Sequence, residues 1–141
     1  MATARSDLTE TLAGIALFAD VGAAELKSIA HIVEDRRYAE GERIIRQGIS
    51  GSAFYIILEG EAAIRVNGKD YGTLGRGEFF GEISVLLGEP PVADIVALRA
   101  LRCVIIAGPD LQAFMLTHPP VLYRMLQAEA RKLKQATSWR T

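Results

Sequence analysis

Only one cysteine, Cys103, occurs in the chain, so no disulfide can form within it. It sits in the apolar run Cys103–Ala107 and reads as a buried small hydrophobe; a redox thiol needs exposure and neighbouring cations. There are two histidines, and His31 and His118 lie far apart without acids or cysteines at metal-ligand spacing, so no metal is expected. No apolar run exceeds about six residues, well short of the roughly 20 that a membrane span needs. The N-terminus lacks a basic segment followed by an apolar one, so a signal peptide is not expected and a cytoplasmic location is. Neither sign of charge dominates. Sixteen Lys and Arg against 17 Asp and Glu leave a net charge of −1, which excludes a global electrostatic grip on nucleic acid or anionic lipid. A local basic cluster at Arg131, Lys132, Lys134 and Arg140 reads as a solvated helix face. No serine stands in a nucleophile elbow, and no other catalytic constellation occurs, so the chain does not read as an enzyme.

What is present is a globular balance. The 141 residues are 50% hydrophobic and 23% charged, enough for one domain with one core. Leu8, Leu12, Ile15 and Ala16 recur at helical spacing, with Asp7 or Thr9 as cap. A second helix is expected over Ala23–Ile32, capped by Asp20, with Leu26, Ile29 and Ala30 on one face. From Val33 the period changes to short runs rich in β-branched and aromatic residues, separated by glycines. Asn67-Gly68 signals a tight hairpin, because both central positions of such a turn need positive φ. A second strand group is expected at about 92–98 and 102–107. Short strands with glycine turns describe a barrel, sandwich or roll, so the fold is mainly β with flanking helices. Glu82–Leu87, between Gly81 and Gly88, reads as a helix of under two turns that needs support to persist. In the last third, Pro109 suits a first helical turn and Pro119-Pro120 interrupts the chain. Leu122, Met125, Leu126, Ala130 and Leu133 then form an apolar stripe. The single domain is expected to comprise N-terminal helices over 1–32, strands over 33–108 and C-terminal helices over 109–141.

The stretch from Phe80 to Asp94 carries the chemistry. A strand runs into Gly81 and a short helix begins, whose first N–H groups have no partner within the helix and so offer an anion site. Gly81 permits close approach of a ligand to the backbone, and Glu82 offers a carboxylate to a sugar hydroxyl. Phe80-Gly81-Glu82-Ile83-Ser84 resembles the phosphate-binding cassette of cyclic-nucleotide-binding domains. Tyr38–Gly48 resembles that family's Tyr-x-x-Gly-Glu-x-Ile-x-x-Gln-Gly segment, and Phe54–Gly60 its Phe-Tyr-Ile-Ile-x-x-Gly strand. Leu17-Phe18 with Glu25-Leu26 resembles its first helices, and the likeness spans about residues 15–130. The resemblance implies a double-stranded β-helix, a jelly-roll-like β-roll, that binds cAMP or cGMP and needs no other cofactor. It implies that Glu82 takes the ribose 2′-hydroxyl and that the Gly81, Ile83 and Ser84 backbone lines the cyclic phosphate. Phe80, Pro91, Val92, Ala93 and Asp94 complete the cassette, and Trp139 is placed to act as an apolar lid from the last helix. Ligand capture would let that helix swing about Pro119-Pro120.

The departures from the family pattern are local. Where the family has Pro-Arg-(Ser/Ala)-Ala-(Thr/Ser), this sequence has Pro90-Pro91-Val92-Ala93-Asp94, so the arginine position falls on Pro91. The loss of one charge-assisted contact to phosphate costs about 1.5–3 kcal/mol, roughly 10- to 100-fold in affinity. Asp94 has two readings: an exposed acid at a strand end, or an internal anion that accepts hydrogen bonds from the Glu82–Ser84 amides. The expectation is a non-catalytic regulatory module with weak or absent cAMP or cGMP binding. One alternative is a genuine sensor in which Arg76, Arg99 or Arg102 reaches the phosphate. Another is the sensor piece of a larger transcription regulator that pairs such a roll with a helix-turn-helix. The expected partners are a cyclic nucleotide or other small anion, and either a second copy, as a homodimer, or a partner protein along the C-terminal helix. Nucleic acid, by this chain alone, and membrane are not expected.

Overall fold

A computed structural model describes residues 2–49 and 52–136. The chain divides into two units: its two ends, up to Ala30 and from Gln112 onward, form one, and His31–Leu111 form the other.

The central unit contains eight strands among the described residues: β1 (Glu34–Tyr38), β2 (Arg43–Ile45), β3 (Ala53–Glu59), β4 (Ala62–Val66), β5 (Lys69–Leu74), β6 (Phe79–Phe80), β7 (Asp94–Ala97) and β8 (Leu101–Ala107). They form two antiparallel four-stranded sheets, in the orders β1-β8-β3-β6 and β2-β7-β4-β5. The chain passes back and forth between the sheets, as the expected roll requires. Tyr38, Tyr55, Ile57, Cys103 and Ile105 from the first sheet share a core with Ala62, Leu74, Ile95 and Ala97 from the second. In β3, Phe54–Leu58 are all buried, so its sequence is a continuous apolar run without alternation. The β4–β5 hairpin turns at Asn67 (φ 52°) and Gly68 (φ 80°), both in the left-handed region, as the dipeptide predicts. A short helix, α3 (Glu82–Leu87), lies between β6 and β7, with the bounds expected from its flanking glycines.

The terminal unit is helical. Helix α1 spans Ala2–Ala13, a 3₁₀ turn follows at Ala16–Phe18, and α2 spans Ala23–Ile32. Because α1 starts at Ala2, Asp7 and Thr9 lie within the helix and not at its start. Asp20 does not cap α2 either. The first bond of that helix runs from the Leu26 N–H to the Gly22 carbonyl, and the Asp20 carboxylate accepts from the Arg124 guanidinium at 2.7 and 3.2 Å. Helix α4 (Gly108–Thr117) and helix α5 (Pro119–Ala136) meet at His118. The buried His118 donates its N–H to the Phe114 carbonyl, and its Nδ1 lies 2.5 Å from Glu25 Oε2 on α2.

Helical phase divides the stripe expected on α5. Val121 and Met125 are buried, Leu122 is half-buried, and Tyr123, Leu126 and Leu133 are exposed. Met125 therefore belongs to the core, and the apolar line facing water is rotated by one residue at its start. Trp139 lies outside the described residues. Among those described, no helix is long and apolar enough to cross a membrane.

Candidate functional site

The leading arm of the cassette is fixed by β3 and β6. Tyr55 pairs in register with Phe80, and their rings stack at 4.8 Å with 5° between planes. Gly81 follows at φ 89° as the N-cap of α3. A Cβ there would lie 2.2 Å from the Ala53 carbonyl oxygen, so only glycine allows the backbone to turn so close to β3. Glu82 and Ser84 are buried on α3, whereas Ile83, Leu86 and Leu87 are exposed. The helix ends at Gly88 (φ 66°), whose N–H donates to the Ser84 carbonyl, as does the Glu89 N–H. The Ser84 hydroxyl donates to the Glu89 carbonyl. That serine therefore locks the helix to the following turn.

The trailing arm is tied to the loop after β2. The Gly48 N–H donates to the Pro91 carbonyl at 2.8 Å. Asp94 Oδ1 accepts from the Gln47 N–H at 2.7 Å, and its Oδ2 lies 3.9 Å from Arg43 Nε. The Gln47 side chain then grips the β4–β5 turn, donating to Asn67 Oδ1 at 3.1 Å and accepting from the Asn67 N–H at 2.9 Å. Val92 is exposed, and Pro91 and Ala93 are half-buried.

The internal-anion reading of Asp94 is thereby corrected. Asp94 begins β7 opposite Arg65, and that register delivers its carboxylate to the loop at Gln47. Among the described residues it accepts no hydrogen bond from the Glu82–Ser84 amides. Phe80 to Ser84 thus make one structural group with β3, while Pro91 to Asp94 make another with the loop at 46–49.

Of the three arginines singled out by sequence, one is turned away from the roll core. Arg102 is buried and grips Asp35 through Nε at 3.0 Å and Nη2 at 2.8 Å. Its neighbours Leu101 and Cys103 face the roll core, so strand alternation puts Arg102 on the opposite face. Arg99 lies 3.9 Å from Glu61, and Arg76 is exposed.

A different arginine shares the inner face. Arg36 is two residues from the core residue Tyr38 and pairs in register with Cys103. Its Nη2 lies 2.8 Å from Glu34. Hydrogen bonds to Glu34 and then to Tyr38 hold the guanidinium charged. The Tyr38 hydroxyl is pushed up to about 12, chiefly by burial and next by Tyr55, while Arg36 pulls the other way. The sequence carried this signal in the two-residue spacing from Arg36 to Tyr38, which only the strand's register makes readable.

Comparison with known proteins agrees with this geometry. Residues 35–118 match the family described as the cyclic nucleotide-binding domain. A putative potassium channel protein of Rhodopseudomonas palustris is 32% identical over 133 residues, covering 92% of this chain and 30% of its own. A cAMP-dependent protein kinase regulatory subunit of Mycosarcoma maydis is 40% identical over 93 residues, covering 63% of this chain and 18% of its own. This chain thus spans about a third or less of these curated relatives. Among solved structures, the regulatory subunit of a cAMP-independent protein kinase A from Trypanosoma brucei superposes with a TM-score of 0.77 at 24% identity, over 89% of this chain and 47% of that one.

Proposed function

The chain belongs to the cyclic nucleotide-binding domain family, and from that premise we propose that it is a non-catalytic regulatory module, acting in the cytoplasm, that takes cAMP or cGMP weakly or not at all. The reading is carried by Pro91, which the resemblance to the family's pattern puts where the arginine stands. Proline has no cation to set against a phosphate, and its carbonyl is already bonded to Gly48. Asp94 adds a negative charge to the same arm, partly offset by Arg43 at 3.9 Å. The backbone of the leading arm is intact, so the loss is one of charge and not of shape.

Calorimetric titration with cAMP and cGMP tests the reading. The wild type should bind far more weakly than micromolar, and Pro91→Arg should tighten binding about 10- to 100-fold. Sub-micromolar binding by the wild type overturns it.

Arg36 supports a second reading, in which its guanidinium meets the phosphate from across the first sheet. In that case the wild type binds tightly and Arg36→Ala abolishes binding.

A further inference from the structure

Asn67 is the chain's single asparagine, and a glycine follows it. That pair is open to a reaction that needs no enzyme. The Gly68 backbone nitrogen gives its proton to base and bonds to the side-chain carbonyl carbon of Asn67, and the carboxamide nitrogen leaves as ammonia. Water then opens the five-membered imide at either carbonyl, giving aspartate or isoaspartate. Nothing is oxidised or reduced. Glycine suits the attack because no Cβ shields its nitrogen. Both residues are exposed here, and nothing lies within 4 Å of where a Gly68 Cβ would stand.

The fold opposes that ring closure. Val66 pairs with Lys69, so Asn67 and Gly68 form a two-residue turn, and their φ values of 52° and 80° make it type I′. Such a turn holds ψ of its first central residue at about +30°. For an L residue the next nitrogen then stands nearly opposite the Cβ across the Cα–C bond. A five-membered ring needs the two eclipsed, so Asn67 must leave the turn before it can react.

Gln47 resists that rotation. Its Nε2 donates to Asn67 Oδ1 at 3.1 Å, and its Oε1 accepts from the Asn67 N–H at 2.9 Å. The carboxamide and the backbone of one residue are thus gripped together. Gln47 is itself fixed, because its N–H donates to Asp94 at 2.7 Å. The survival of the Asn67 amide is therefore tied to the trailing arm of the cassette.

We propose that Asn67 is a site of spontaneous deamidation, held in check by the Gln47 clasp and released when that clasp opens. Both products add one negative charge to the hairpin. The isoaspartate product also adds a methylene to the backbone between Val66 and Gly68, which ends the two-residue turn. This stands whether or not the roll binds a nucleotide.

The full 141-residue chain, held in mildly alkaline buffer, provides the test. Deamidation is read by mass spectrometry as conversion of an amide to an acid, and isoaspartate is resolved by peptide chromatography. The folded wild type should react more slowly than the same chain unfolded in urea. Gln47→Ala should react about 10-fold faster than the folded wild type, since loss of its two hydrogen bonds favours the open turn. Gln47→Glu keeps the acceptor and loses the donor, so its rate should fall between. Asp94→Ala, which loosens Gln47 without touching Asn67, should quicken the reaction by less than Gln47→Ala. Circular dichroism matched to the wild type ensures that these rates report the turn and not unfolding. Asn67→Ser should show no early mass change. A folded wild type that reacts as fast as the unfolded chain overturns the proposal. So do Gln47 and Asp94 variants that react no faster than the wild type, or a mass change that survives Asn67→Ser and so arises at a glutamine.

Discussion

The two arms of the cassette are held by different means. The leading arm, Phe80 to Ser84, depends on backbone shape: a stacked ring pair, a left-handed glycine and a carbonyl too close for any Cβ. The trailing arm, Pro91 to Asp94, depends on side-chain and backbone hydrogen bonds to the loop at Gln47 and Gly48. One arm is thus set by steric geometry and the other by the contacts it makes with a neighbouring loop. The family likeness reads strongly in the leading arm because its residues are dictated by geometry. The trailing arm carries no comparable steric demand, because many side chains can brace a loop.

Substitutions separate the arms. The largest effect is expected for Gly81→Ala, which combines a positive φ with a Cβ 2.2 Å from the Ala53 carbonyl. It should destabilise the roll by about 3–4 kcal/mol, read as a lower urea midpoint. Asp94→Ala should cost about 1–3 kcal/mol by leaving the Gln47 N–H without its acceptor, and hydrogen exchange should quicken at Gln47. Equal losses in the two variants would erase the contrast between the arms. Ser84→Ala removes the hydroxyl bond to Glu89 and should cost about 1 kcal/mol without changing the fold.

The smallest effect is expected away from both arms, at the core of the roll. Burial foremost, and the Asp35 carboxylate second, push the Cys103 thiol from 9.0 to about 12. A raised folded value means that the folded state favours the protonated thiol. That contribution is complete below about pH 9 and is lost as pH rises towards 12. Native Cys103 should therefore resist iodoacetamide at pH 9 and react once urea unfolds the chain. Ready alkylation of the native protein would contradict so enclosed a position.

Features encoded within a few residues were legible in the sequence. Asn67-Gly68 announces its hairpin, Gly81 and Gly88 bracket α3, and Ala23–Ile32 appears as a helix with the bounds the pattern suggests. The features that escaped depend on partners far along the chain. Asp94 finds Gln47 across 47 positions, and Asp20 finds Arg124 across 104, so local rules for caps and anion sites misplace both. Arg36 escaped for another reason: in a strand that reads Glu-Asp-Arg-Arg-Tyr, every residue before the tyrosine is exposed, and only register against β8 shows which arginine shares the face of Tyr38. On α5, the apolar residues alone give a broad stripe, and the burial of Met125 is needed to locate its outward edge.

The contact between His118 and Glu25 bears on how the terminal helices can move. Pro119 has no N–H to carry the hydrogen-bond ladder of α4 into α5, and the residue just before it is fastened to α2. Any pivoting of α5 about that point must either tow α2 with it or strand an ionisable ring away from its acid. The start of α5 is thus clasped twice to the segment around α2, by the His118 imidazole and by the Arg124 guanidinium.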